Sequence, residues 1–224
     1  MAPNYQSGKD NVAGFKRYFK GGLSGEVYTT VNQPDYSAEI AQMQSAKPDA
    51  LFVFYPGGMG VNFVKQMRQA GLLGQIPLLS VSTTDGSTLP ALKETALGVI
   101  SGTFWGPDFN NPASKKFVAD FEKKYSRIPS QYAAQAYDSA LLIDSALKKT
   151  GGKAADKAAL TNALRAADFK SVRGNFRFNK NGFPIQDMHV FEVAKDSADR
   201  VSLKTVSTPL KNLSDPYVTD CPLK

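Results

Sequence analysis

The chain has 224 residues, 42% hydrophobic and 21% charged, with a net charge of +7. That usage is ordinary for a folded globular protein, excludes a largely disordered chain, and suffices for one large domain or two small ones. No run reaches the ~18 apolar residues of a membrane-spanning helix. Met1 to Asp10 are polar and lack the basic stretch and apolar core of a signal peptide. Lys and Arg are interleaved with acids along the whole chain, which argues against a nucleic-acid partner. The single cysteine, Cys221, excludes an internal disulfide and a thiolate metal cluster. Any partner it has lies outside this chain.

The first two thirds alternate helix and strand signals. Gly8 to Gly21 places Val12, Phe15 and Phe19 on one helical stripe, with Gly21-Gly22 as a stop. Glu26 to Val31 reads as a strand. Ser37 is placed to cap a helix through Ala46, and Lys47-Pro48-Asp49 is a turn. Ala50 to Tyr55 is a continuous apolar run, the pattern of a strand buried on both faces. Pro56-Gly57-Gly58 breaks it. A helix follows with Phe63, Val64 and Met67 on one face, and Gly71 closes it. Ile76 to Val81 is the next buried strand, Ser82 to Gly86 a polar loop, and Gly98 to Trp105 another strand. This order predicts an α/β fold with a parallel, doubly wound sheet and right-handed crossovers.

The pattern changes after Gly106-Pro107. Asn111-Pro112 opens a helix with Phe117, Val118, Phe121 and Tyr125 as its stripe. A second helix runs from about Gln131 to Lys149, and a third from about Asp156 to Ala167. From Phe169 the chain is β-like: Arg173 to Phe178 reads as a strand, Asn181-Gly182 as a tight turn, and Met188 to Val193 as a further strand. After about Pro209 the tail is polar with turn residues.

The residues of common catalytic sites are scarce. The only histidine, His189, lies in a strand and reads as structural, so a His/Cys zinc site has no ligands. No Gly-x-x-x-x-Gly-Lys-Ser/Thr loop is present. Gly57-Gly58-Met59-Gly60 follows a strand and precedes a helix, but Phe63 stands where a dinucleotide fingerprint needs its third glycine, so a plain strand-to-helix turn accounts for it. Asp85 and Asp108 lie near strand ends without the two-carboxylate logic of a glycosidase. No catalytic residue, metal or cofactor is expected.

In open α/β sheets, ligands bind outside the carboxyl ends of the strands. That rule selects Tyr55, Gly57 and Gly58 after one strand, Ser82, Thr83, Thr84 and Asp85 after the next, and Phe104 and Trp105 after the third. Aromatic walls, hydroxyls and the free amides of a helix start suit a carboxylate. Each residue also has an ordinary reading as loop or core packing, and Trp105 serves equally as a packing anchor.

Several blocks, in order, resemble a known family. Ala2 to Asp10 with Phe15-Lys16 is similar to the loop and helix that open the second lobe of the branched-chain amino acid type periplasmic solute-binding proteins. Asp35 to Ile40, Lys47 to Ala50, Asn62 to Gln66 with Ala70-Gly71-Leu72, Asn111 to Ala113, Phe117, Pro129, and Ala134 to Ala140 continue the match. Together they cover about residues 1–190. The resemblance implies a two-lobed clamp that closes on a small carboxylate, an aromatic acid or a branched-chain amino acid, and docks on the membrane subunits of an ABC importer in the periplasm. It implies that 1–107 is a second-lobe α/β ligand-binding core, that 108–168 is a helical segment of the first lobe, and that 169–224 returns to the second lobe and ends in a tail. Tyr5, Tyr55 and the Ser82 to Asp85 loop would face the cleft.

Two departures qualify the match. Amino-acid binders of this family carry an acid after the third strand to hold the ammonium group, whereas here Asp85 sits far along its loop. The surface looks more like relatives that take aromatic carboxylates. Also, the chain begins where the leading strand of the second lobe should just have ended. The expectation is an N-terminally truncated form that lacks most of the first lobe. The helices after Pro107 would then expose Phe117, Phe121, Leu141 and Leu142 or self-associate, and the partner of Cys221 would lie in the missing part. Two alternatives remain. One is a sensory ligand-binding domain of the same fold, which would carry a transmembrane or signalling segment. The other is a flavodoxin-like enzyme, which would be coloured by flavin.

Overall fold

The computed structural model describes residues 1–222. In chain order the elements are β1 (Ala2–Pro3), α1 (Gln6–Tyr18), β2 (Tyr28–Thr29), α2 (Ser37–Ser45), β3 (Leu51–Phe54), α3 (Gly58–Gln69), β4 (Leu78–Val81), α4 (Leu89–Leu92) and β5 (Ile100–Thr103). There follow α5 (Pro112–Tyr125), α6 (Gln131–Lys149), α7 (Lys157–Ala166), β6 (Arg177–Phe178), β7 (Pro184–Lys195) and β8 (Val201–Leu213). By contacts the chain divides into two compact units: Met1–Thr103 with Val190–Lys204, and Phe104–His189 with the chain from Thr205 on.

Unit 1 is the α/β layer that the alternating signals predict. The pairs β1–β2, β3–β4 and β4–β5 are parallel. The Met1 amine donates to Phe52 O and Phe54 N donates to Met1 O, which seats β1 against β3. Val193 of β7 exchanges hydrogen bonds with Gly98 and Val99 at β5. The strand order is therefore β2-β1-β3-β4-β5-β7. The apolar run that becomes β3 buries Leu51, Val53 and Phe54, and α3 buries Phe63, Val64 and Met67 on a single stripe. Each such side chain stabilises the fold by about 1.5–3 kcal/mol against an exposed reference.

Unit 2 is built on α5 and α6. Their starts are capped as the sequence encodes: Asn111 Oδ1 accepts from Ser114 N at 2.8 Å, and Ser130 Oγ from Ala133 N at 3.3 Å. Trp105, Phe117, Ala134 and Val172 form the core. The Trp105 indole N–H donates to Ser114 Oγ at 3.0 Å, so the large ring is buried without an orphaned donor. Asp138, wholly buried on α6, is the polar centre. It accepts from Ser171 Oγ (2.6 Å), Val172 N (2.9 Å) and Arg173 Nε (2.8 Å). The Arg173 guanidinium also lies 4.1 Å from the Phe176 ring centroid and donates to Gln186 Oε1.

The structure departs from the sequence expectations at several places. The strand expected over 26–31 is only Tyr28–Thr29. Ser37 is the first residue of α2 rather than its cap, and Asp35 Oδ1 takes both its N–H and its hydroxyl. The strand expected over 173–178 shrinks to Arg177–Phe178 because Arg173 is held by Asp138. The tail expected after Pro209 is instead the end of β8, which pairs with β7 and runs to Leu213. Phe117, expected to lie exposed, is 3% exposed, while Phe121, Leu141 and Leu142 are half-buried. Trp105, Tyr137 and Val172 give that face a local core. His189 lies in β7 with Nδ1 at 2.9 Å from Thr208 Oγ1 and its ring edge-on to Phe109, and burial lowers its pKa. Among the described residues no His/Cys/Asp/Glu cluster could hold a metal, and no helix is long and apolar enough to cross a membrane.

The Asp138 network yields a stability prediction. Asp138→Asn removes the charge that compensates the buried Arg173. It should cost about 3–5 kcal/mol in urea unfolding, as breaking one side of a buried ion pair does. A loss below about 1 kcal/mol would show that the network is not what ties α6 to the 171–173 segment.

Candidate functional site

The carboxyl ends of β3 and β4 are adjacent in the parallel ladder, since Phe54 pairs with Val81. The loops that leave them are joined by one buried hydrogen bond, from Tyr55 N to Thr83 Oγ1 at 2.9 Å. Gly57 follows with φ 61°, a backbone position that glycine adopts without strain, and it turns the chain into α3. Gly60 lets the first turn of α3 pack against the strand ends. A Cβ there would collide with Tyr55 O and come within 3.0 Å of Thr83 O. The first-turn amides of a helix have no intrahelical acceptor and carry the positive end of the dipole. Gly57 and Gly58 are exposed, so these amides face solvent at the strand ends.

The β4 loop is held from below by hydroxyls. Thr88 Oγ1 accepts from Asp85 N and lies 3.0 Å from Thr83 O, to which it donates. Ser101 Oγ donates to Thr84 O, and the Ser80 and Thr84 hydroxyls lie 3.2 Å apart. Ser82 sits at φ 54°, a left-handed conformation that costs a non-glycine residue energy. Asp85 Oδ1 takes both the N–H and the hydroxyl of Ser87 at 2.6 Å.

The sequence-selected residues therefore fall into three sets. Gly57 is exposed, and Tyr5 and Ser82 are half-buried, all in unit 1. Tyr55, Thr83, Thr84 and Asp85 are also in unit 1 but are at most 1% exposed. Trp105 is buried in the core of unit 2. Tyr5 packs by Phe54, with ring centroids 6.4 Å apart. Tyr55 packs in an aromatic triad with Tyr36 and Phe63, and burial pushes its phenol well above the usual range and that of Tyr36 up to about 12. Both stay neutral at any physiological pH. Asp108 bonds Thr205 N and Oγ1, both at 2.7 Å, as a structural group of unit 2. Sequence reading missed Thr88 and Ser101, and took Gly60 only as part of a strand-to-helix turn. Thr88, three residues beyond Asp85, was the available signal, since short hydroxyl and carboxylate side chains bond their own loop backbone.

A cavity of about 410 Å³ also lies in unit 1. It is at the other edge of the sheet, lined by the residues that lead into β2 and β3 and by the last turns of α1 and α2. Its place at the amino ends of the strands is the wrong one for a ligand of a parallel α/β sheet.

Against known proteins, residues 1–198 match the family model described as Periplasmic binding protein. The Leu/Ile/Val-binding protein homolog 6 of Brucella melitensis is 29% identical over 206 residues, which are 87% of this chain and 52% of the relative. A solute-binding protein of an ABC transporter from R. palustris, solved in complex with benzoate, superposes with a TM-score of 0.90 at 27% identity. The match covers 99% of this chain and 60% of that one. A second, from Rhodopseudomonas palustris BisB5 in complex with 3,4-dihydroxy benzoic acid, gives 0.86 at 30% identity over 96% of this chain and 61% of that one. The chain thus spans about half the length of the curated relative and about three fifths of the solved ones. These relatives are binding proteins, not enzymes. With the family model covering most of its length and the parallel α/β layer in place, the chain belongs to the periplasmic binding protein family.

Proposed function

We propose that this chain is part of the solute-binding component of an ABC importer, and that it takes a small aromatic carboxylate at the carboxyl ends of β3 and β4. In this reading the protein works in the periplasm and hands its ligand to the importer's membrane subunits. The amides at the start of α3 (Gly57, Gly58) meet the carboxylate, and Ser82 and Tyr5 supply a hydroxyl and an aromatic wall. Tyr55, Thr83, Thr84 and Asp85 hold the loops in shape from beneath, while Trp105 anchors unit 2.

The observation that carries the choice of ligand is the state of Asp85. It is the only acid in the Ser82–Ser87 loop, it is 1% exposed, and one of its oxygens is held by Ser87. An amino-acid ligand needs an acid there to meet its ammonium group. A benzoate does not, and Asp85 is turned inward onto Ser87 rather than out toward the strand-end amides. The benzoate and dihydroxybenzoate complexes of the two solved relatives support the same reading. A branched-chain amino acid is the second reading, favoured by the curated relative.

Two outcomes test this. In a thermal-shift titration, benzoate and 4-hydroxybenzoate should raise the melting temperature in a dose-dependent way while leucine does not. At a ligand concentration 100 times Kd the stabilisation is about 2.7 kcal/mol. A rise with leucine alone would transfer the site to the second reading, and no rise with any of the three would contradict a usable site in this chain. Thr83→Val removes the acceptor of Tyr55 N. It should cost about 1–3 kcal/mol in stability and weaken benzoate at least tenfold. Unchanged affinity in that variant would place the ligand elsewhere.

A further inference from the structure

We propose that Thr29, Tyr36 and Tyr55 form a binding site for a single buried water molecule, held among their three hydroxyls beneath the carboxyl edge of unit 1. Each comes from a different element. Thr29 ends β2, Tyr36 immediately precedes α2, and Tyr55 follows β3. Thr29 is 2% exposed, and both tyrosines are fully buried. Yet Thr29 Oγ1, Tyr36 Oη and Tyr55 Oη are all shut away from solvent without a hydrogen-bond partner.

The three oxygens belong together. Burial pushes the Tyr55 phenol up most, the nearby Thr29 hydroxyl draws it down, and the nearby Tyr36 phenol and Glu39 raise it further. Tyr55 is thus the centre of the group. The two tyrosine rings meet edge-on with centroids 5.2 Å apart, and both pack on Phe63, at 5.4 and 4.9 Å. That packing fixes both rings with their oxygens away from solvent. Thr29 and Tyr55 are neighbours, but their hydroxyls do not close a hydrogen bond with each other. The backbone of each residue is already committed. Tyr36 N donates to Gln66 Oε1 at 2.7 Å, Tyr55 N to Thr83 Oγ1 at 2.9 Å, and Thr29 O accepts from Asn4 N at 2.7 Å. Moving the chain to bring the hydroxyls together would break bonds already made.

A buried hydroxyl left unpaired costs free energy, and native interiors meet that cost with a bonded group or an ordered water. Three hydroxyls offer donors and lone pairs in equal supply to a guest. A water has two donors and two acceptors and takes about three partners inside a protein. The electrostatics favour this neutral guest over a cation. Burial raises the Tyr36 phenol to about 12 and lifts Tyr55 as well, so neither becomes the phenolate that would bind a metal ion. Glu39, the charge that acts on both, accepts from Gln33 Nε2 at 2.9 Å and from neither phenol. The water ties together the ends of β2 and β3 and the start of α2. Tyr55 is then pinned twice, by Thr83 at its backbone and by the water at its phenol.

Tyr36→Phe and Tyr55→Phe in the full chain keep each ring and delete its hydroxyl, and the sign of the stability change decides between a wet and a dry triad. If a water joins the hydroxyls, each deletion removes a satisfied group. The melting temperature should then fall by about 2–4 °C, the shift expected for one hydrogen bond in a chain of this size. In a dry triad the deletion removes an orphaned polar group, and the melting temperature should rise. Thr29→Val makes the same comparison from the β2 side without touching the aromatic packing, and should also lower the melting temperature. Oxygen-17 relaxation dispersion of the solvent gives a readout that packing alone would not move. It counts long-lived internal waters, and the Tyr36→Phe/Tyr55→Phe double variant should hold one fewer than the unmodified chain. A rise in melting temperature in either tyrosine variant, or an unchanged water count in the double variant, would overturn the proposal.

Discussion

At the carboxyl edge of unit 1, two strand-end loops must hold one shape relative to each other. The Tyr55 N–H to Thr83 Oγ1 bond does this. Both groups are shut away from water, so leaving either unpaired would carry the full desolvation cost of a buried polar group. Gly60 packs α3 close enough to bury the bond, and Thr88 and Ser101 fix the carbonyls on either side of it. The exposed amides at the start of α3 are stationed by this arrangement and not by contacts of their own. The candidate site is therefore built from beneath: buried residues decide where the exposed groups stand.

The two edges of the same sheet differ in chemistry. Its carboxyl edge is polar, with hydroxyls bonded to backbone and an acid turned inward, one oxygen of which is buried without a hydrogen-bond partner. The amino edge carries an apolar cavity and a phenylalanine stack. In a parallel sheet the strand ends are not equivalent, because helix starts collect at one edge and helix ends at the other. The free amides of a helix start, which suit a small anion, lie at the first edge.

Much of the fold could be read from residue patterns. The continuous run Leu51–Phe54 announced a strand covered on both faces, and Phe63, Val64 and Met67 gave the helix that covers it. Asn111-Pro112 marked the start of α5, while the cap at Ser130 was not singled out. What escaped depended on partners distant in sequence. Asp138 captures Arg173 and ends what looked like a strand at 173–178, and β8 forms because β7 is there to pair with it. A local partner also escaped: Asp35 Oδ1 accepts from both the N–H and the hydroxyl of Ser37, which becomes the first residue of α2 rather than its cap. At the candidate site, the strand-end rule selects two loops that the structure brings side by side, but it has no means of ranking residues within them. Threonines are polar in any sequence count, and only the structure shows that Thr83 and Thr84 spend their hydroxyls on the scaffold. The aromatic and hydroxyl content of the loops was legible, while its division into supporting and outward-facing groups was not.

The claim that a ligand meets the carboxyl edge is tested most directly by amide chemical-shift mapping of the labelled chain during a benzoate titration. The account predicts saturable shifts at Gly57, Gly58, Gly60 and Ser82 through Asp85, with Gly22 to Val27 and Ala50 to Phe52 unmoved. Saturable shifts centred on Gly22 to Val27 and Ala50 to Phe52, which line the cavity at the amino edge, with the strand-end loops silent, would contradict it.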